Sequence, residues 1–137
     1  MKPQGIYNFF SQFNLALIGK KQSFYTPYYR EVYILLECLR RNKLIYGFKI
    51  DTVNPLAIRL IVFPIYYLHY PLIRHLSVYS QTKIFRALSF VELQKSYRWK
   101  HFHLQPLVIL RNAFGFTTVY ESLSLGQGGY LSCVLFF

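Results

Sequence analysis

Two glycine-bearing turns near the end of the chain carry the residues best suited to bind a ligand. The first, Arg111-Asn112-Ala113-Phe114-Gly115, follows the apolar run 107–110. The second, Gly126-Gln127-Gly128-Gly129, leads into the apolar segment 130–137. An arginine can pair with a phosphate, and an asparagine amide both donates and accepts hydrogen bonds. Glycine lacks the Cβ that keeps a ligand away from the backbone. These turns suit contact with a sugar-phosphate chain, and a tight turn without any ligand is the alternative interpretation.

A second candidate is the segment 97–103, in which basic and aromatic side chains alternate: Tyr97-Arg98-Trp99-Lys100-His101-Phe102-His103. This composition suits contact with phosphates and stacking on unpaired bases. The alternative is a solvated hairpin edge whose aromatic rings cover the core. His101 and His103 could face one metal ion, but no cysteine or acidic cluster accompanies them. We therefore predict no metal and no other cofactor.

The chain has no pattern typical of a catalytic site. Its five acidic residues are scattered, and no glycine-rich phosphate loop ends in Lys-Ser or Lys-Thr. No hydroxyl has the histidine and aspartate pattern of an activated nucleophile. We predict that the protein is not an enzyme and takes no small-molecule substrate.

The composition indicates a folded protein that binds a polyanion. Hydrophobic residues make up 53% of the chain and aromatic residues 20%, which excludes general disorder. Lysine and arginine number 16 against five acidic residues, a net charge of +11. Nucleic acid is the first partner to consider and an anionic membrane surface the second. The uncharged stretch 60–73 contains two prolines and is shorter than the roughly 20 residues of a spanning helix, so no stable membrane insertion is predicted.

The hydrophobic periodicity predicts an α+β protein with two small lobes. Apolar positions in residues 5–18 predict a helix that ends at Gly19, and a stripe in residues 28–42 predicts a second helix. With strands at 22–25, 44–50 and 56–67, the first lobe (residues 1–69) reads α-β-α-β-β, with two helices on a three-stranded sheet.

The second lobe (residues 70–137) begins at a linker around Pro71 and is predicted to be mostly β. Its short helix begins at Ser89, which forms a capping box with Glu92. The apolar segments 107–110 and 130–137 are predicted to be neighbouring strands. Cys38 and Cys133 are expected to be buried free thiols, as in a reducing compartment.

The C-terminal third of the chain resembles the S-eight family of small-subunit ribosomal proteins. That family has an apolar strand, Ser-Thr-Ser-x-Gly, a connecting segment, Gly-x-Gly-Gly-Glu and a cysteine before the last strand. The residues at matching spacing are Gly115, Thr118, Glu121, Gly126, Gly128, Gly129 and Cys133. Here Arg111-Asn112-Ala113 replaces the hydroxyl triplet, Tyr130 replaces the glutamate, and Phe85 stands for a family tyrosine. The resemblance extends over residues 5–137 and is weakest in 68–106.

This resemblance implies a structural constituent of the small ribosomal subunit, a ribonucleoprotein component that supports subunit assembly and translation. It implies binding to the central domain of the small-subunit rRNA, mainly through the C-terminal lobe, beside neighbouring small-subunit ribosomal proteins. The bias toward Phe, Tyr, Ile and Leu is what an AT-rich organellar genome produces, and the N-terminus has no signal-peptide or transit-peptide pattern. The mitochondrial matrix is thus the expected location, with a bacterial cytoplasm or a plastid as alternatives. The alternative function is a basic, aromatic-rich peripheral membrane protein.

The predicted RNA-contact residues come from the resemblance together with the basic and aromatic pattern. They are Asn14, Lys20, Lys21, Arg30, Lys83, Phe85, Arg98, Lys100, Arg111, Asn112, Ala113, Gly115, Thr118, Gly126, Gly128, Gly129 and Tyr130.

Overall fold

The computed structural model describes residues 3–78, 87–92 and 107–137 of the chain. The described residues have an α+β architecture, as predicted, and the chain divides into two compact units, Met1–Leu76 and Ser77–Phe137. The division falls after Leu76 rather than after residue 69. Residues 70–74, predicted to be a linker, include a strand and the buried Ile73 of the first unit.

The N-terminal unit has the predicted order of elements, followed by a small hairpin. Its helices and strands are α1 (Pro3–Ile18), β1 (Phe24–Pro27), α2 (Arg30–Arg41), β2 (Ile45–Asp51), β3 (Arg59–Pro64), β4 (Tyr66–Tyr67) and β5 (Tyr70–Pro71). The sheet order is β1-β3-β2, with β3 antiparallel to both neighbours. Strands β4 and β5 pair antiparallel in a separate two-stranded sheet.

The core of this unit is built from the apolar faces of both helices. On α1, Phe13 packs edge-on against Phe24 of β1, with ring centroids 5.3 Å apart. Such aromatic pairs add about 0.5–1.5 kcal/mol beyond the area that they bury. The stripe that predicted α2 is buried throughout, since Val32, Leu35 and Leu36 are at most 1% exposed. Periodicity therefore identified both helices and their buried faces.

Strand β3 is shorter than the predicted strand 56–67 because side chains hold the preceding residues in turns. Asp51 Oδ1 accepts a hydrogen bond from the N–H of Val53, and Asn54 Oδ1 accepts one from Leu56. Such bonds from Asp and Asn side chains to the backbone stabilise turns at the expense of strands. Leu56 is consequently 95% exposed.

Both long helices end at a lysine in the left-handed conformation. After α1, Lys20 has φ 52°, and the N–H groups of Lys20 and Lys21 bond back to Leu17 and Ala16. After α2, Lys43 has φ 59° in the same motif. The predicted glycine cap is therefore corrected: Gly19 precedes the left-handed position. A residue with a Cβ in this conformation costs roughly 1–2 kcal/mol.

The C-terminal unit is a sheet with one short helix packed on it. Its elements are β6 (His75–Val78), which begins at the division, β7 (Ala87–Leu88), β8 (Leu107–Asn112), β9 (Gly115–Thr118), α3 (Val119–Leu125) and β10 (Gly129–Phe136). The strand order is β6-β10-β8-β9, and β7 also pairs with β10. Residues 90–92 are helical, and the N–H of Glu92 donates to Ser89 Oγ at 3.3 Å, which is one of the two hydrogen bonds of the predicted capping box.

Apolar side chains from β8, α3 and β10 form the core of this unit. Val108, Leu110, Val119 and Val134 form one buried cluster, and Leu123 packs against it. Cys38 in the first unit and Cys133 in the second are buried, as predicted, and neither is in a disulfide. None of the helices in residues 3–78, 87–92 and 107–137 combines the length and the apolar character needed to cross a membrane.

Candidate nucleic-acid interface

The first predicted turn is the tight connection between β8 and β9. Asn112 and Gly115 face each other at the strand ends, and Ala113 and Phe114 form the tip. Asn112 Oδ1 accepts the N–H of Phe114 at 2.9 Å, and Nδ2 donates to Thr117 Oγ1 at 2.8 Å. The Asn112 amide thus stabilises the turn through partners within the chain, and its contact with RNA stays a prediction. Gly115 is buried, with φ 102°, a value that favours glycine.

The second turn begins where α3 ends. Gly126 takes the left-handed conformation with φ 69°, and its N–H bonds to Leu123 O at 3.3 Å. The N–H of Gln127 bonds to Ser122 O at 3.0 Å, which completes a motif common at helix ends. The backbone conformation therefore accounts for glycine at 126 without any ligand. Gly128 follows and is half-buried.

The two turns lie side by side, as predicted, because β10 pairs antiparallel with β8. Tyr130 stands opposite Arg111 in this ladder. A Cβ on Gly129 would come within 2.9 Å of Arg111 O and 3.3 Å of Asn112 Cβ. Gly129 is therefore packed against the protein's own backbone, which explains the glycine without a ligand, and its RNA contact stays a prediction.

Thr118 has a structural role at the start of α3. It is 1% exposed and caps the helix: its Oγ1 accepts the N–H of Glu121 at 3.2 Å, and its own N–H donates to Glu121 Oε1 at 3.1 Å. This cap explains the threonine without a ligand, and the RNA contact of Thr118 stays a prediction. The helix was missed, although Thr-x-x-Glu followed by glycine is a recognisable signal for it.

The exposed surface of these turns is mainly apolar and aromatic. Phe114 is 61% and Tyr130 52% exposed, and Ala113 lies between the strands at the tip. The half-buried Arg111 lies 5.3 Å from the ring centroid of Phe116, and its Nη1 donates to Asn112 O at 2.9 Å. Within residues 87–92 and 107–137, Arg111 is the only lysine or arginine.

Asn14, the first predicted contact in the N-terminal unit, is a structural residue. Its Nδ2 donates to Leu76 O at 2.9 Å, and its Oδ1 accepts the N–H of Leu76 at 2.9 Å. Both halves of the amide therefore bond to one backbone residue far away in the sequence. This pairing explains Asn14 without a ligand, and its RNA contact stays a prediction.

The other predicted residues of this unit are on its surface. Lys20, Lys21 and Arg30 are exposed, with Lys20 and Lys21 at the end of α1 and Arg30 in the first turn of α2. Lys83, Phe85, Arg98 and Lys100 lie outside the described residues, as does the basic and aromatic segment 97–103.

The sequence did not reveal the β4–β5 hairpin as a feature of the surface. Tyr67 and Tyr70 face each other across the hairpin, and each is 74% exposed. The tip residues, Leu68 and His69, have φ values of 52° and 71°. Hairpins with this backbone usually carry Asn-Gly or similar pairs, so the sequence gives no turn signal here.

A groove of about 690 Å3 lies in the same unit and was also not predicted. It is lined in part by Tyr28 and Tyr29 and by the polar residues Gln12 and Thr26. Gln12 Oε1 and Thr26 Oγ1 are buried and have no hydrogen-bond partner among the described residues. Both atoms are shielded from solvent, so the accessible wall consists of the tyrosines and their neighbours.

Among the described residues, few titratable groups have a pKa that is clearly shifted from its ordinary value. The pKa of Asp51 is lowered by the N–H of Val53 and then by Arg59, whose Nη2 lies 2.8 Å from Asp51 Oδ2. Burial raises the pKa of Tyr66. In the part of the chain that the structure describes, no three His, Cys, Asp or Glu side chains are grouped as a metal site would require.

Comparison with known proteins adds no relative to this description. No protein-family model matches the chain, and no curated protein is significantly similar to it.

Proposed function

We propose that this chain is a structural RNA-binding protein of the small ribosomal subunit, bound to the central domain of the small-subunit rRNA. In this proposal it lies beside other small-subunit proteins and acts in the mitochondrial matrix. It binds the rRNA as a structural component of the subunit, and it catalyses no reaction.

The observation that carries the proposal is the distribution of charge on the N-terminal unit. Every lysine and arginine in residues 3–76 is exposed: Lys20, Lys21, Arg30, Arg40, Arg41, Lys43, Lys49, Arg59 and Arg74. The same range has three carboxylates, Glu31, Glu37 and Asp51, and none of them is fully exposed. Two are engaged locally, Glu37 with Arg40 at 2.7 Å and Asp51 with Arg59 at 2.8 Å. The remaining positive surface favours a polyanion.

The resemblance assigns the main RNA contact to the C-terminal lobe, and the sequence gives that lobe positive charge as well. Arg111 is in its described residues, and five further cations, Lys83, Arg86, Lys95, Arg98 and Lys100, lie outside them. We expect the turns of that unit to contact RNA through Phe114, Tyr130 and the backbone, with phosphate contacts supplied by cations of both units.

The membrane alternative is not favoured by any specific observation. The two stretches that it would place at a lipid surface, 60–73 and 131–137, form strands rather than amphipathic helices. Several of their apolar side chains, among them Leu60, Val62, Cys133 and Leu135, are buried in the units themselves.

Binding to a central-domain fragment of the cognate small-subunit rRNA tests the proposal. The matched control is an unrelated structured RNA of the same length. We expect the cognate fragment to bind at least about tenfold more tightly, and log affinity to fall with log salt by about 0.7–0.9 for each phosphate neutralised. Equal affinity for both RNAs would contradict a ribosomal role. Binding to anionic vesicles with no binding to either RNA would favour the membrane alternative instead.

A further inference from the structure

From the β4–β5 hairpin and the end of α1, we infer a stacking platform for unpaired RNA bases, formed by Tyr67 and Tyr70 with Lys20 beside them. This inference rests on the proposed RNA binding and gives the N-terminal unit a defined contact. The sequence-based predictions included Lys20 but neither tyrosine.

The hairpin presents its two tyrosines together on one face. Tyr67 and Tyr70 are direct partners in the ladder, so their side chains point to the same side, while Tyr66 points to the other. Each of the two rings is 74% exposed. Two neighbouring exposed rings are what successive unpaired bases need, since base-on-aromatic stacking is independent of sequence.

Tyr66 fixes the hairpin to the end of α1. Its hydroxyl donates to Lys21 O at 2.6 Å and lies 3.3 Å from Ala16 O. The N–H of Leu72 also bonds to Ile65 O at 2.9 Å, which closes the base of the hairpin. The tyrosine pair is therefore held in place before any ligand arrives, which lowers the entropy cost of binding.

Lys20 brings a positive charge to the same place. Its Nζ lies 6.0 Å from the ring centroid of Tyr70, at the outer limit of a cation–π contact, and the adjacent Lys21 is also exposed. A base stacked on Tyr70 would have its phosphate within reach of these lysines. An exposed aromatic pair next to cations fits single-stranded RNA better than a neutral protein surface.

Lys20 keeps an unfavourable backbone conformation beside the hairpin. Its φ is 52°, where glycine or asparagine would be more stable. Such strain at Lys20 motivates a functional explanation. In the platform, the left-handed conformation of Lys20 directs a charged side chain toward the hairpin, a contact that glycine could not make.

The test compares two variants that share one stabilised turn. Leu68→Asn with His69→Gly gives the hairpin a favoured turn and leaves both tyrosines in place. Adding Tyr67→Ser and Tyr70→Ser removes only the rings. We expect the first variant to bind the rRNA fragment like the native chain, and the second to bind about 10-fold to 100-fold more weakly at every salt concentration. Thermal melts of both establish that each is folded.

A second comparison tests whether RNA binding depends on where the lysine lies or on its positive charge alone. Lys20→Gly and Lys43→Gly each remove one cation from a left-handed helix end, so both should raise thermal stability. Only Lys20 lies beside the tyrosines. We expect Lys20→Gly to weaken RNA binding and reduce the salt slope by about 0.7–0.9, with a smaller effect for Lys43→Gly.

The outcomes distinguish this inference from the proposed function. If the native chain does not bind the rRNA fragment, the proposed function fails and the inference fails with it. If the native chain binds and loss of both rings leaves the affinity unchanged, the inference alone is overturned. Loss of vesicle binding, with RNA binding retained, would also overturn it and assign the rings to a membrane.

Discussion

Substitution of Gly129 by alanine should destabilise the C-terminal unit through a single steric conflict. The new Cβ would lie 2.9 Å from Arg111 O and 3.3 Å from the Cβ atoms of Asn112 and Leu110, whereas ordinary contacts begin at 3.4 Å. The Arg111 carbonyl would have to withdraw by about 0.5 Å while its strand is paired with β10. Backbone can move less readily than a side chain, so the conflict strains the ladder.

The expected magnitude follows from two opposing effects. Overpacking of this kind costs about 1–3 kcal/mol. Replacing glycine by alanine also restricts the unfolded chain, which stabilises by about 0.4–1 kcal/mol. We expect Gly129→Ala to lower the free energy of unfolding by about 1–2 kcal/mol. Gly47→Ala in β2 is the control, because nothing lies within 4 Å of its Cβ position, and it should be neutral or slightly stabilising.

Urea denaturation followed by far-ultraviolet circular dichroism measures both variants. With a slope of about 1–3 kcal/mol/M, the expected loss of about 1–2 kcal/mol moves the midpoint by roughly 0.3–2 M. If the two units unfold in separate transitions, only the transition of the C-terminal unit should move for Gly129→Ala. A midpoint equal to that of Gly47→Ala would refute the close packing of Gly129 on β8.

Three other substitutions test single contacts, each by the same urea measurement. Thr26→Val should stabilise the N-terminal unit by up to about 1 kcal/mol, because Oγ1 is buried without a partner among the described residues; a clear loss of stability would indicate that the hydroxyl is bonded. Asn14→Ala should cost about 2 kcal/mol, since it leaves the partly buried N–H and carbonyl of Leu76 unpaired; an effect below about 0.5 kcal/mol would mean that these groups find other partners. Thr118→Ala should cost about 1 kcal/mol through loss of the cap of α3, whereas Thr118→Ser should restore most of it; equal losses in both would contradict a capping role.

Local patterns in the sequence were sufficient to predict the main elements. The stripe of α2 and the phenylalanines of α1 repeat at helical spacing, and the apolar runs 107–110 and 130–137 became paired strands. These signals depend on neighbouring residues alone. Several structural roles that the sequence did not predict depend on partners far away in the chain.

Asn14, Gly129 and Thr118 illustrate why the candidate site was harder to predict. Asn14 bonds to a residue 62 positions away, and Gly129 is constrained by the backbone of another strand. Such pairings follow from tertiary structure, which residue spacing does not reveal. Thr118 is different, since its spacing to Glu121 was visible and was assigned to a ligand instead of a helix cap.

The residues with positive φ could not be predicted either, because they break the local rules of sequence. Lysine is not a residue that sequence rules place in a left-handed helix cap, so Gly19 was chosen in preference to Lys20. The hairpin tip, Leu68-His69, likewise lacks glycine or asparagine. Positions that break local rules are expected near functional surfaces, and this agrees with the platform inferred beside them.

Sedimentation of the native protein tests the central claim most directly. Mitochondria of the source organism would be lysed in buffer with magnesium, and the lysate separated on a sucrose gradient and probed for this chain. Our proposal predicts that the protein sediments with the small ribosomal subunit and moves to the top of the gradient after ribonuclease treatment. A protein that stays at the top before that treatment, or that floats with membranes, would contradict the account.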